Sequence, residues 1–197
     1  MPEYMPKRQW GICFPAEQAE MRGIFLRNIE VRPRPGRRSQ GLMRAGPLTI
    51  PVALGRGGIR ANKREGDGGT PRGRFRPLRL WWRPDRLRRP GTLLPTRRIN
   101  QTAAWSEDPG DRNYNRPVRR SANEPGDRLW RDDGLYDLFL EIDHNSRPRV
   151  AGRGSAVFIH VARPGFAPTA GCVALRFEDL LKLSKRIGPK TRITIHH

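Results

Sequence analysis

"AVFIHVARPGFAPTAGCVAL" occupies residues 156–175. It opens as an apolar run ending on His160, crosses a loop rich in proline and glycine, and reaches Cys172 between Gly171 and Val173. A run of this length, rich in Val, Ile and Phe and bounded by turn residues, reads as a strand. The same pattern of short apolar runs between turns recurs along the chain. It decides for a β-rich fold.

Working outward, "IFLRNIEV" (24–31), "LTIPVAL" (48–54), "LYDLFLEI" (135–142) and "TRITI" (191–195) read as further strands. Pro51 suits an edge or a bulge, because proline has no N–H for the ladder. "RFRPLRLWW" (74–82) alternates but is interrupted by Pro77. The glycine-dense 55–75 reads as a long loop. Residues 83–134 are dominated by turn chemistry such as "SEDPGDRNYNRPV". A segment that long without regular structure is functional, disordered or built of short strands. One helix is expected in "RFEDLLKLSKRIG" (176–188), with Phe177, Leu180, Leu181, Ser184 and Ile187 on one face and Gly188-Pro189 as its stop. The expected class is mainly β, of sandwich or barrel type, with one C-terminal helix and long loops. No internal repeat is found.

The chain has 197 residues, enough for one domain and a tail, and its 19 prolines and 21 glycines disfavour long helices. Mean hydropathy is −0.75. No segment approaches the ~18 consecutive apolar residues of a membrane span. Residues 1–22 read as an N-terminal extension, expected to be disordered, and 23–197 as a single domain. "WGICF" is stopped by Pro15 and is too short for the apolar region of a signal peptide, and Met5 and Met21 are rival starts. The formal charge is +20, and of the 39 basic residues only five are lysine. Such a field attracts polyanions at low salt without selecting among them. The arginines are spread rather than gathered in an arm, which disfavours a dedicated nucleic-acid tail. Cys13 and Cys172 form no zinc spacing, and a bridge between them stays open if the protein is exported.

The His160–Cys172 pair has two readings. Both residues could be core packing, since free cysteine is among the most buried types. Alternatively they are a base and its nucleophile. Glycine immediately before the thiol leaves its approach open and permits a backbone conformation barred to other residues. It also exposes the N–H groups of Gly171 and Cys172 to a developing oxyanion. A thiol of ordinary pKa, about 8.5, is mostly protonated at neutral pH and gains from an imidazole that takes its proton. The two lie 12 positions apart, enough for a strand and a loop to bring them together. The imidazole's orienting partner would be Asp143, His144 or a main-chain carbonyl. The coupled pair is expected to titrate near neutral pH.

The pair "IH" at 159–160 with "TAGCVAL" at 169–175 resembles the active-site signature of the L,D-transpeptidase catalytic domain, a histidine followed by a loop and Ser/Thr-x-Gly-Cys. "GDGGTPRGRF" (66–75) resembles that family's Gly-rich "TPxGxF" segment, and "RGSAVFIH" (153–160) its strand leading to the histidine. The likeness extends over roughly residues 40–195. Two positions depart: Ala170 stands where many members have His, and Ala174 where many have Arg. The resemblance implies a β-sandwich of mixed sheets and an enzyme of the bacterial cell envelope, or periplasm, that needs no metal or organic cofactor. It implies action on peptidoglycan stem peptides, in cell-wall biogenesis and cell shape, and acylation by carbapenems. Cys172 would form a thioester with release of D-Ala, His160 would be the base, and the Gly171 and Cys172 N–H groups would hold the oxyanion. Thr169 would brace the loop or touch substrate, while Thr70, Pro71 and Gly73 would shape the fold. Arg153 and Arg163, flanking the His160 strand, are candidates for substrate carboxylates.

Two other classes compete. The same site could pass the acyl group to water, as a carboxypeptidase does. Or the chain could be a basic nucleic-acid-binding module, for which Trp81-Trp82 beside Arg79 and Arg83 is the one candidate stacking platform.

Overall fold

A computed structural model describes residues 25–121 and 124–197. Expectations for residues 1–24, including the extension, the rival starts and Cys13, fall outside them.

In chain order the strands are β1 (Asn28–Arg34), β2 (Arg37–Ala45), β3 (Leu48–Ala53), β4 (Ile59–Arg60), β5 (Thr70–Pro71), β6 (Gly73–Phe75), β7 (Pro77–Trp82) and β8 (Thr96–Arg98). They continue as β9 (Ala103–Trp105), β10 (Pro117–Arg119), β11 (Asp127–Arg128), β12 (Leu138–Ile142), β13 (Phe158–Val161), β14 (Val173–Leu175) and β15 (Arg192–Ile195). A single helix, α1 (Phe177–Ser184), lies between β14 and β15. Ten strands form one mixed sheet in the order β6-β15-β1-β2-β3-β14-β13-β12-β7-β8. The chain is mainly β, as expected.

One core draws on both halves of this sheet: Ile29, Val31, Met43 and Ile193 from one, Leu80, Leu138, Leu140 and Ile159 from the other. The sheet therefore folds over so that its two halves share this core, as in a sandwich, with α1 against β12 and β13 and with β6 and β8 as its edges. The helix ends at Ser184, short of Ile187, and turns Leu180 and Leu183 inward. Leu181, expected on the buried face, is only half-buried.

"LFLEI" of β12 is buried at every position. Leu138, Leu140 and Ile142 enter the main core, while Phe139 joins a second core on the opposite face. A strand covered on both faces reads as a continuous apolar run rather than an alternating one. The cover on the second face comes from the stretch that resisted reading. Within 83–134 the chain makes β8 and a separate three-stranded sheet, β10-β9-β11. Trp105 and Leu129 from this part pack with Trp81, Phe139 and Phe158. Trp81 stacks on Phe139 at 5.7 Å and Trp82 sits in the main core, so neither tryptophan is an exposed platform for a nucleic-acid base. The glycine-dense 55–75 is also not one loop: β4 and β5 pair in parallel and β6 joins the main sheet, separated from β7 where Pro77 was expected to interrupt. Pro51 lies where β3 has only β2 beside it, since β14 reaches β3 only at Ala53.

Asn115 ties the inserted part to the main body. Its Oδ1 accepts from Trp105 Nε1 at 3.0 Å and from Ala156 N at 3.2 Å. Its Nδ2 donates to the carbonyls of His144 and Asn145 at 3.1 and 2.8 Å. All four bonding positions of the amide are used. Asn115→Ala leaves a buried indole N–H and a backbone N–H without acceptors, and is expected to cost about 2–4 kcal/mol. Chemical denaturation measures it, and a loss under ~0.5 kcal/mol would show that water or repacking replaces the amide.

Candidate functional site

The strand arrangement sets the geometry of the histidine and the cysteine. β13 and β14 pair in parallel, with Ile159 opposite Val173 and His160 opposite Ala174. Extending that register one step places Cys172 beside Phe158. Side chains two apart along a strand share a face, so Cys172 and His160 project from the same face of neighbouring strands. They are offset by one two-residue repeat, roughly 6–7 Å along the sheet. That face carries the second core, where Phe158 and Cys172 are both members. Ala174, one of the two positions that depart from the motif, is buried, with His160 and Ala53 opposite it on the neighbouring strands.

The Cys172 thiol is free and buried. It donates to the Ala156 carbonyl at 3.2 Å and accepts from Phe158 N–H at 3.3 Å. Burial pushes its pKa up to about 12, with the Asp127 and Glu107 carboxylates adding to the rise against the Phe158 N–H and Lys63. His160 is buried too, with Nδ1 2.8 Å from the carbonyl of Val161. A carbonyl can only accept, so Nδ1 carries the proton and Nε2 keeps its lone pair. The orienting partner is thus a main-chain carbonyl. Asp143 instead accepts from Arg76 N–H, and His144 faces the carbonyl of Arg153. Tyr136 packs edge-on against the imidazole at 5.4 Å, and its hydroxyl donates to Asp127 at 2.8 Å.

Titration near neutrality does not survive burial. The interior disfavours each charged form, so the imidazole falls to about 4 while the thiol rises, and both groups are neutral at pH 7. A base whose folded pKa lies below its unfolded value of about 6.5 contributes stability above that value. The contribution is lost as pH falls from 6.5 through 4, because the unfolded chain then binds the extra proton. His160 accounts for about 3 kcal/mol of acid destabilisation on this basis. Denaturation midpoints between pH 7 and pH 4 should fall less steeply for His160→Gln than for the wild type. Equal slopes would mean that the imidazole is not buried neutral.

The loop before Cys172 is braced from two sides. Thr169 Oγ1 donates to the Cys172 carbonyl at 2.7 Å and accepts from Gly171 N–H at 3.1 Å. Gly171 N–H, expected to face an oxyanion, is therefore engaged by Thr169 in the resting protein. Gly171 has φ +148°, and a Cβ there would lie 2.9 Å from the Gly69 carbonyl. Only glycine fits without displacing that strand–loop contact. Thr70, of the "TPxGxF" segment, accepts from Gly55 N–H at 2.8 Å and holds this loop layer together.

Cys172 and His160 both line a cleft of about 470 Å³, together with Thr169, Ala170, Gly171 and Arg163. Arg153 is exposed and is not among the cleft residues. Sequence reading missed the rest of the lining, notably Lys63, Glu65, Glu107, Asp127, Arg131 and Tyr136. Several come from 55–75 and 83–134, the two stretches whose elements were not legible. Lys63 is held by Asp67 at 2.6 Å, and Arg131 by Asp133 at 2.5 Å with Asp127 at 3.7 Å. Cations and carboxylates thus line the cleft side by side.

A family model described as the L,D-transpeptidase catalytic domain, YkuD, matches residues 37–195. No curated protein matches the chain significantly. Among solved structures, Bd1075 of Bdellovibrio bacteriovorus is similar at 16% identity and a TM-score of 0.44. That match covers 87% of this chain and 48% of the other, so the chain spans about half the length of Bd1075. Among the described residues, no helix is long and apolar enough to cross a membrane.

Proposed function

The chain belongs to the L,D-transpeptidase catalytic domain family, and from that premise we propose that it is a cysteine acyltransferase acting on peptidoglycan stem peptides in the cell envelope. The observation that carries this reading is the parallel β13–β14 register, which sets Cys172 and His160 on one face at a shared cleft. Cys172 is the nucleophile. His160 Nε2 takes the thiol proton as Sγ attacks the carbonyl between the stem's L-centre and its terminal D-alanine. The Cys172 N–H receives the oxyanion, and Gly171 N–H joins it by leaving Thr169 Oγ1. The C–N bond then breaks, and His160 passes the proton to the departing D-Ala amine. A thioester remains, to be resolved by an amine of a second stem.

Because thiol and imidazole rest neutral, no thiolate–imidazolium pair waits in the free protein. Proton transfer accompanies attack, and the resting thiol is protected from adventitious chemistry. Arg163, exposed at the cleft, is suited to a stem carboxylate. Incubation with purified tetrapeptide stems, followed by intact-mass spectrometry, should show one acyl adduct on Cys172 and stoichiometric D-Ala. An unmodified protein with no D-Ala released would overturn the reading.

A further inference from the structure

Glu107 stands apart from the other acids of the cleft. Glu65 accepts from Ser155 at 2.8 Å and from Tyr114, and Asp127 is held by Tyr136 and Arg131. Glu107 has neither a hydrogen bond nor an ion pair among the described residues. It follows β9 at the end of Trp105-Ser106, so the inserted three-stranded sheet carries it to the cleft mouth. It lies near enough to the thiol for its charge to raise the Cys172 pKa. It also lines a second depression of about 630 Å³, formed with Ser106, Asp108, Asp111 and Arg120. Glu107 thus lines both the cleft that holds the thiol and an adjoining depression.

We propose that Glu107 receives the ammonium of the incoming acceptor and takes its proton, so that the second depression is the acceptor's entry. This rests on the acyl-transfer reading above. An alkylammonium has a pKa near 10.4, so at neutral pH nearly all of it lacks the lone pair needed for attack. His160, buried beside the thiol, cannot serve both protons that must leave the nitrogen. In the step, the ammonium gives one proton to Glu107, and the amine lone pair forms the new C–N bond at the thioester carbonyl. The second proton passes through His160 to Sγ as the C–S bond breaks and sulfur takes the electron pair. The products are the amide, the free thiol and a protonated Glu107, which returns its proton to solvent.

Surroundings suit that task. Although the residue is exposed, desolvation at the cleft, together with Asp127 and Glu65, raises Glu107 to about 7, which brings it nearer to an amine's pKa than an ordinary carboxylate comes. Of the cations on the other walls, Lys63 and Arg131 are bound to Asp67 and Asp133, and neither these nor Arg56 and Arg163 form an ion pair with Glu107.

Glu107→Gln tests this in the full chain with tetrapeptide stems. First-turnover D-Ala release should match the wild type, while transfer to a stem amine falls about 10²-fold relative to thioester hydrolysis. Hydroxylamine, which is uncharged at neutral pH, should resolve the acyl-enzyme equally fast in variant and wild type. Glu107→Asp should recover part of the transfer. If the variant transfers to stem amines at the wild-type rate, or loses acylation as much as transfer, Glu107 has no acceptor role. If the wild type itself forms no acyl-enzyme, the acyl-transfer reading fails instead.

Discussion

Cys172→Ala is expected to abolish both the thioester and D-Ala release, the largest effect any single substitution in this chain should have. Without the thiol no covalent intermediate can form, and among the described residues no second cysteine lies at the cleft. Cys172→Ser keeps the size and both hydrogen bonds, to Ala156 and Phe158, and so separates lost chemistry from lost packing. A hydroxyl is a far weaker nucleophile beside a neutral imidazole, so the serine variant should be folded and inactive. Cys13→Ala should retain activity. Equal loss in the Cys13 variant would point to a bridge or to another nucleophile. A carbapenem should acylate Cys172 in the wild type and leave Cys172→Ser unlabelled, and an absent adduct on Cys172 would count against the assignment.

His160→Ala should slow acylation by 10²–10⁴-fold, about 3–5 kcal/mol of the barrier, if Nε2 takes the thiol proton. The side chain is buried against Tyr136, so the alanine variant also opens a cavity. His160→Gln fills most of that space and keeps a donor for the Val161 carbonyl, but offers no base. A slow, stable glutamine variant identifies proton transfer; a wild-type rate with a lowered melting temperature identifies packing. The pH profile adds an independent reading. With the imidazole at about 4, kcat/KM should stay level through neutrality and fall only as pH drops through that value and protonates Nε2. His144→Ala, whose imidazole faces the Arg153 carbonyl away from the cleft, should keep near-normal rates, as should variants of His196 and His197.

The motif residues were legible because they cluster in twenty consecutive positions. A strand ending in His160, a loop turned by Pro164 and Gly165, and Gly171 before Cys172 are local patterns whose physics lies in neighbouring residues. Gly171 is required by its own φ and by one close carbonyl. The paired strands β12 and β13 were legible for a similar reason, since burial on both faces leaves runs that are apolar but for Glu141 and His160. Harder to see were strands of two or three residues, such as β4, β9 and β11, which are too short to show a period. Their existence depends on partners elsewhere: Asp127-Arg128 is a strand because β9 is already there to bond it.

By itself, then, the sequence determined a mainly β chain with one helix near its end, singled out His160 and Cys172 as the candidate pair, and set the limits that follow from charge and hydropathy. Only the tertiary structure decided what surrounds that pair. Parallel pairing of β13 with β14 put the two side chains on one face, and the Val161 carbonyl chose the imidazole tautomer. The second core took in the thiol and Tyr136 packed on the imidazole, and burial moved their pKa values apart to about 12 and about 4. Desolvation and hydrogen-bond direction depend on atoms brought in from distant parts of the chain. No window of neighbouring residues contains them.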